Sequence, residues 1–234
     1  VNRNLLAALI GLVVVAAAAA IYLFGHRVVP PPAPGISEAL AADRAGRVSD
    51  LRYDVTLRVP ASRTDAVSGH LRATFALSDA TKPLAFDFAQ PTDHLIAMHA
   101  NGRVVDPLVQ QQHIMIPPRA LVRGDNLIEF EFLAGDEALN RNDDFLYALF
   151  VPARASLTFP VFDQPDLKAR WKLVLNVPSD WTAVSNGKEV GHVGGPDQRG
   201  LVFAETEPIS TYLFTFAAGK FSIETAERHG RTLR

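Results

Sequence analysis

Seven histidines and a few paired acids are the residues of this sequence equipped for chemistry. His26, His70, His94, His99, His113, His192 and His229 include no i,i+4 pair, and the H-E-x-x-H pattern of helical zinc proteases does not occur. The nearest two, His94 and His99, are five apart. On a strand that spacing puts them on opposite faces, a poor geometry for sharing a metal. The set reads as scattered surface histidines. Glu129 and Glu131 would share one strand face with carboxylates about 7 Å apart, a separation found in inverting glycosidases. Their alternation with Ile128, Phe130 and Phe132 has a simpler meaning, the wet edge of a half-buried strand. Asp143 and Asp144 in NRNDD read as a solvated turn, with calcium as the alternative. G-x-S-x-G, P-loop and G-x-G-x-x-G patterns are missing. So is cysteine, which excludes disulfides, thiolate metal sites and Cys nucleophiles. Residue by residue, no catalytic constellation emerges.

The elements that would carry any site begin with an apolar run. Residues 5–24, LLAALIGLVVVAAAAAIYLF, hold no charge. As a helix rising about 1.5 Å per residue they would span roughly 30 Å, the depth of a bilayer core. Residues 1–27 are therefore expected to be a single-pass signal anchor with the bulk of the chain exported, periplasmic or extracellular. A cleaved signal peptide is the alternative, since Ala16 to Ala20 offer small-residue cleavage sites. Residues 28–47 follow as a linker: four prolines between Pro30 and Pro34 stiffen it, and its Ala-rich end could form a short surface helix that holds the domain off the membrane. A net charge of −2 from 23 basic and 25 acidic residues gives no basic stripe for nucleic acid.

From Val48 the hydrophobic period becomes two. Leu51, Tyr53, Val55, Leu57 and Val59 alternate with Arg52, Asp54, Thr56 and Arg58, a strand with one wet face. Further alternating runs recur every 10–15 residues, among them GHLRATFAL, NLIEFEFLA and RWKLVLNVP. Asn101-Gly102 and Asn186-Gly187 supply turn signals. The expected architecture is all-β: an antiparallel sandwich or a large curved, saddle-like sheet over residues 48–221.

One stretch is more specific than the rest. In FPVFDQPDLKARW two prolines preset φ and remove N–H donors, so the chain can turn without stranding one. Phe159 and Phe162 can anchor the turn, while Asp163, Asp166 and Lys168 can tie neighbouring loops together. The corner is either purely architectural or a docking surface.

Across residues 159–186 the sequence closely resembles the aminopeptidase N family of zinc metallopeptidases, and in particular that family's N-terminal β domain. The matching residues are Phe159-Pro160, Phe162-Asp163-Gln164-Pro165-Asp166, Lys168-Ala169, Pro178, Trp181 and Ser185-Asn186. LYALFVPARA upstream, PISTYLFTFAAGKF downstream and the opening VSDLRYDVTLRV extend the likeness over residues 48–221. The resemblance implies an exopeptidase acting on peptides, with zinc held by two His and a Glu in a following domain that residues 222–234 would begin to reach. By this reading the chain carries no metal or catalytic residue and is inactive alone. Leu149 stands where relatives often carry a polar residue that reaches the substrate, and Val161 where many carry Cys. The corner Phe162, Asp163, Gln164, Pro165, Asp166 and Lys168 would face the catalytic domain. A freestanding exported β module for binding or assembly is the alternative.

Overall fold

Period-two alternation becomes sheet almost wherever it occurs. The structure, a computed structural model, describes residues 32–194 and 198–233. Strands are numbered in chain order. The largest sheet contains β1 (Val48–Arg58), β2 (Ser68–Leu77), β4 (Leu95–Ala100), β5 (Arg103–Val104), β8 (Gly124–Leu133), β11 (Arg170–Pro178), β13 (Glu189–Gly194) and β14 (Gln198–Phe203). Its spatial order is β13-β14-β11-β1-β2-β8-β4-β5. A three-stranded sheet is built from β3 (Leu84–Asp87), β6 (Leu108–Gln110) and β7 (His113–Ile116). A four-stranded sheet combines β9 (Leu139–Arg141), β10 (Phe145–Ala148), β12 (Thr182–Ser185) and β15 (Phe216–Gly219). A hairpin of β16 (Ala226–Arg228), which is exposed, and β17 (Arg231–Leu233) follows.

Both small sheets cover one face of the large one, giving a sandwich. Phe86 of β3 meets Phe130 of β8 edge-on with centroids 5.1 Å apart. On the other side Trp171 of β11 stacks on Phe214 at 4.1 Å, and Phe214 leads into β15. Tyr53, Val55, Leu57, Leu71, Phe75, Ile128, Phe130 and Leu173 are all buried, as their alternation requires. Full burial of one such side chain stabilises the fold by about 1.5–3 kcal/mol.

The antiparallel reading needs correction at one seam. β1 and β11 pair in parallel from Arg52↔Arg170 to Arg58↔Asn176, so the large sheet is mixed. Between them the chain builds most of the two covering sheets, and it re-enters at the same end of the large sheet. A local hydrophobic pattern cannot reveal such a return. The two Asn-Gly signals also part company. Asn101 (φ 52°) and Gly102 (φ 76°) close the β4–β5 hairpin as expected. Asn186-Gly187 instead carries the chain from the four-stranded sheet to the large one. There the Asn186 amide bonds Leu213 O and Thr215 N, while a Cβ on Gly187 would lie 2.0 Å from Ala204 O.

Helix α1 (Glu38–Arg47) starts at Ser37, whose hydroxyl caps Leu40 N–H at 3.2 Å. The expected surface helix forms, but it is not merely a spacer: Arg44 and Arg47 are buried in the β domain. Among the described residues no helix is long and apolar enough to cross a membrane, and the expected anchor at residues 5–24 lies outside them.

Candidate functional site

The Pro-flanked corner is fixed from below by aromatic packing. Phe162 stacks on Phe86 with centroids 4.1 Å apart and meets Phe75 edge-on at 6.0 Å. Phe159 sits among Trp171, Phe150, Phe214 and Phe216. With Val161 also fully buried, the corner has an apolar floor. Its polar groups then have to find partners inside the protein. Phe162 N–H donates to Tyr53 Oη at 2.9 Å, and Asp163 N–H donates to Asp87 Oδ2 at 2.8 Å.

The polar residues of the corner divide. Asp163 is buried and accepts from Ser156 N–H at 3.0 Å and from Thr211 Oγ1–H at 2.8 Å, tying together three loops. Gln164 is buried as well; its amide donates to Ala41 O of α1 and to Asp166 Oδ1. Pro165 and Asp166 are exposed, although Pro165 O accepts from Ser210 Oγ–H. Lys168 is exposed, and its ammonium forms no hydrogen bond or ion pair among the described residues. Among the described residues the Lys168 side chain makes no tie to a neighbouring loop.

The centre of the arrangement is a residue the sequence reading passed over. Asp87, at the end of the fully buried strand β3, receives both arms of the Arg44 guanidinium. Nη2 lies 2.6 Å from Oδ1 and Nη1 lies 2.8 Å from Oδ2. The buried His113 side chain brings Nδ1 to 2.8 Å from Oδ1, an electrostatic contact outside the angular range of a hydrogen bond. Nε2–H of the same ring donates to Ala33 O at 3.1 Å. His113 is thus no surface histidine. The overlooked signal was an aspartate inside the apolar run PLAFDF, a charge that needs a buried partner to be tolerated.

Electrostatics separate the two aspartates. Burial pushes the Asp87 carboxyl up, but His113, the Arg44 charge with its hydrogen bonds, and Asp163 N–H together hold it below the usual carboxylate range. Asp163 goes the other way: burial raises it, aided by the neighbouring Asp87 charge and only partly offset by Ser156 and Thr211. Tyr53 is pushed upward by burial and stays a neutral phenol. The linkage signs therefore oppose. Stability from Asp87 is present above its unfolded value and is lost as pH falls through its lower folded value. Asp163 takes up its proton more readily in the folded state, so it offsets that loss as pH falls. Asp163→Asn keeps an acceptor for Ser156 and can donate to a rotated Thr211 hydroxyl, so a small change is expected at pH 7. Relative to wild type, the urea midpoint of the variant is expected to fall on going to pH 4; a pH-independent difference contradicts this assignment.

A cavity of about 390 Å³ opens beside the cluster, lined in part by Asp87, His113, Ser156, Asp163 and Ile36. Although Asp87, His113 and Asp163 meet here, the described residues contain no group of three or more donors placed to hold a metal ion. Zinc has no fitting site among them: Asp87 is bound to Arg44, and the Asp163 carboxylate to Ser156 and Thr211. Glu129 and Glu131 stay on the wet face of β8, Glu129 paired with Arg72. Asp143 and Asp144 receive Arg63 N–H and Lys220 in an exposed turn.

On the four-stranded sheet, Tyr147, Ala217 and Val184 are register partners across β10, β15 and β12. Tyr147 and Val184 are exposed, while Leu146, Ala183 and Ala218 point into the core. Leu149 and Val151 continue the exposed apolar row at 46% and 52% accessibility. The structure thus places Leu149 at the surface, outside the buried cluster.

Known proteins share both the sequence and the architecture. The family model for the peptidase M1 N-terminal domain matches residues 140–213. Aminopeptidase M1-B of Oryza sativa subsp. japonica is 26% identical over 203 residues, 80% of this chain and 23% of the relative. Aminopeptidase N of Streptomyces lividans is 26% identical over 145 residues, 58% of this chain and 16% of the relative. Probable M1 family aminopeptidase 1 of Encephalitozoon cuniculi (strain GB-M1) is 36% identical over 88 residues, 36% of this chain and 10% of that protein. The crystal structure of an M1 zinc metallopeptidase from Deinococcus radiodurans superposes with a TM-score of 0.66 at 19% identity, covering 77% of this chain and 44% of that one. At that identity the superposition shows a common fold. The chain spans under a quarter of these curated relatives and under half of the solved metallopeptidase chain. Residues 140–213 thus match the peptidase M1 N-terminal domain, and the β domain around them is similar in sequence to M1 aminopeptidases and shares the fold of a solved M1 zinc metallopeptidase.

Proposed function

We propose that this chain is the non-catalytic N-terminal portion of a membrane-tethered zinc aminopeptidase that removes N-terminal residues from peptides. In this reading residues 5–24 hold the protein in the membrane with the β domain on the exported side. Zinc, its ligands and the general base belong to a catalytic domain, and peptide reaches the protein through that domain. The observation that carries the reading is the exposed apolar row of Tyr147, Leu149, Val151 and Val184 on and just beyond the four-stranded sheet. Such a row favours burial against another body. Leu149 is then at the rim, where it would offer a substrate apolar contact and no hydrogen bond.

The alternative, an exported binding or assembly module, is separated from this one by a single experiment. The reading frame is followed past the codon for Arg234, and both the extended product and the 234-residue chain are expressed and fractionated. The extended product is expected to encode H-E-x-x-H, to pellet with washed membranes and to hydrolyse aminoacyl anilides only with zinc. The shorter chain is expected to pellet likewise and to hydrolyse nothing. A stop codon after Arg234, or metal-dependent turnover by the shorter chain, overturns the proposal.

A further inference from the structure

Helix α1 poses a problem of attachment. At 10 residues it is shorter than the roughly 12–15 needed for even marginal stability in water. Its buried residues are Arg44 and Arg47, so no apolar side chain of the helix is fully buried. Arg47 is held by carbonyls: Asp79 O at 2.8 Å, Lys82 O at 3.0 Å and Pro83 O at 3.1 Å, with Asp43 beside it. Arg44 enters a more selective enclosure. The Asp87 carboxylate meets its fork edge-on, Gln164 Oε1 lies 3.5 Å from Nη1, and the Phe162 ring centroid lies 5.3 Å from Cζ. Gln164 also reaches back to Ala41 O in the same helix. A planar carboxylate, an amide oxygen and an aromatic face together match a guanidinium better than a rounder ammonium.

We propose that the corner of Phe162, Asp163 and Gln164, together with Asp87, is a guanidinium-binding socket that Arg44 occupies in cis, latching α1 onto the β domain. The corner is then neither a bare turn nor only a surface for another domain; it receives the segment that enters the fold. Asp163 contributes its N–H by orienting Asp87, and His113 fastens the same entry segment independently through Ala33 O. The inference concerns contacts within this chain and does not depend on peptidase activity.

Chemical rescue tests it. Arg44→Ala removes a fragment equivalent to ethylguanidinium. The thermal midpoint of the variant is expected to drop by about 10 °C, as for a broken buried pair in a domain of this size. Millimolar ethylguanidinium is expected to restore several degrees saturably, with no effect on wild type, while ethylammonium restores little. Equal rescue by both cations, or rescue by neither, overturns the socket. Should Arg44→Ala fail to fold, Gln164→Leu leaves the charge pair intact but removes two bonds to α1. Amide exchange in α1 is then expected to accelerate at least about tenfold, with β1, β2 and β8 unchanged. Unchanged exchange in α1, or uniform acceleration throughout the domain, overturns the latch.

Discussion

Asp87→Ala is expected to lower the free energy of unfolding by about 3–5 kcal/mol, the usual consequence of removing one member of a buried ion pair. The cost is not the loss of an attraction alone. The variant leaves the Arg44 guanidinium, 0% exposed, without its counter-ion. It also strands Asp163 N–H and leaves the buried His113 ring beside an empty volume. Each is a buried polar group left without its partner. Urea unfolding at pH 7 measures the change, and a loss below about 1 kcal/mol would mean that the cluster is far wetter than its geometry shows. Replacing both charges, Arg44→Met with Asp87→Leu, is expected to cost clearly less than the sum of the single changes, because neither partner is then left behind. Strict additivity would show that the two side chains do not act as a pair.

How much of this was legible depends on the range over which each residue finds its partner. Tyr53, Val55 and Leu57 announce their burial because the period of a strand is local. Asn101-Gly102 announces its turn for the same reason: positive φ is decided within two residues. Asn186-Gly187 carries an identical local signal, yet its neighbours lead to different sheets, and the amide is taken by Leu213 and Thr215 far along the chain. The parallel seam between β1 and β11 and the joining of Arg44, Asp87, His113 and Asp163 are non-local in the same way. The corner itself could be picked out from its prolines and acids, but its partner could not. Arg44 reads as one more solvated arginine in an Ala-rich helix, and His113 as one more isolated histidine, until the fold brings them to Asp87. The clue available was negative: an acid in an otherwise apolar strand has to be neutralised by something.

The second large effect is expected at Trp171, where the core of the sandwich converges. Its ring lies parallel to Phe214 at 4.1 Å and tilted against Tyr53 at 4.5 Å, with Phe159 at 6.1 Å. Trp171 joins the parallel seam to the four-stranded sheet, since it pairs with Tyr53 across β1 while its face covers Phe214. Trp171→Ala is expected to destabilise by about 3–5 kcal/mol, through lost burial and a cavity that flat neighbouring rings cannot close. Trp171→Phe should behave differently. The indole Nε1–H is buried without an acceptor among the described residues, so the smaller ring gives up area but also removes an unpaired donor. The two terms oppose, and a loss of no more than about 1.5 kcal/mol is expected. Guanidine or urea midpoints of the two variants decide the matter. If Trp171→Phe costs as much as Trp171→Ala, the indole nitrogen has a partner and the stacking account of this junction fails.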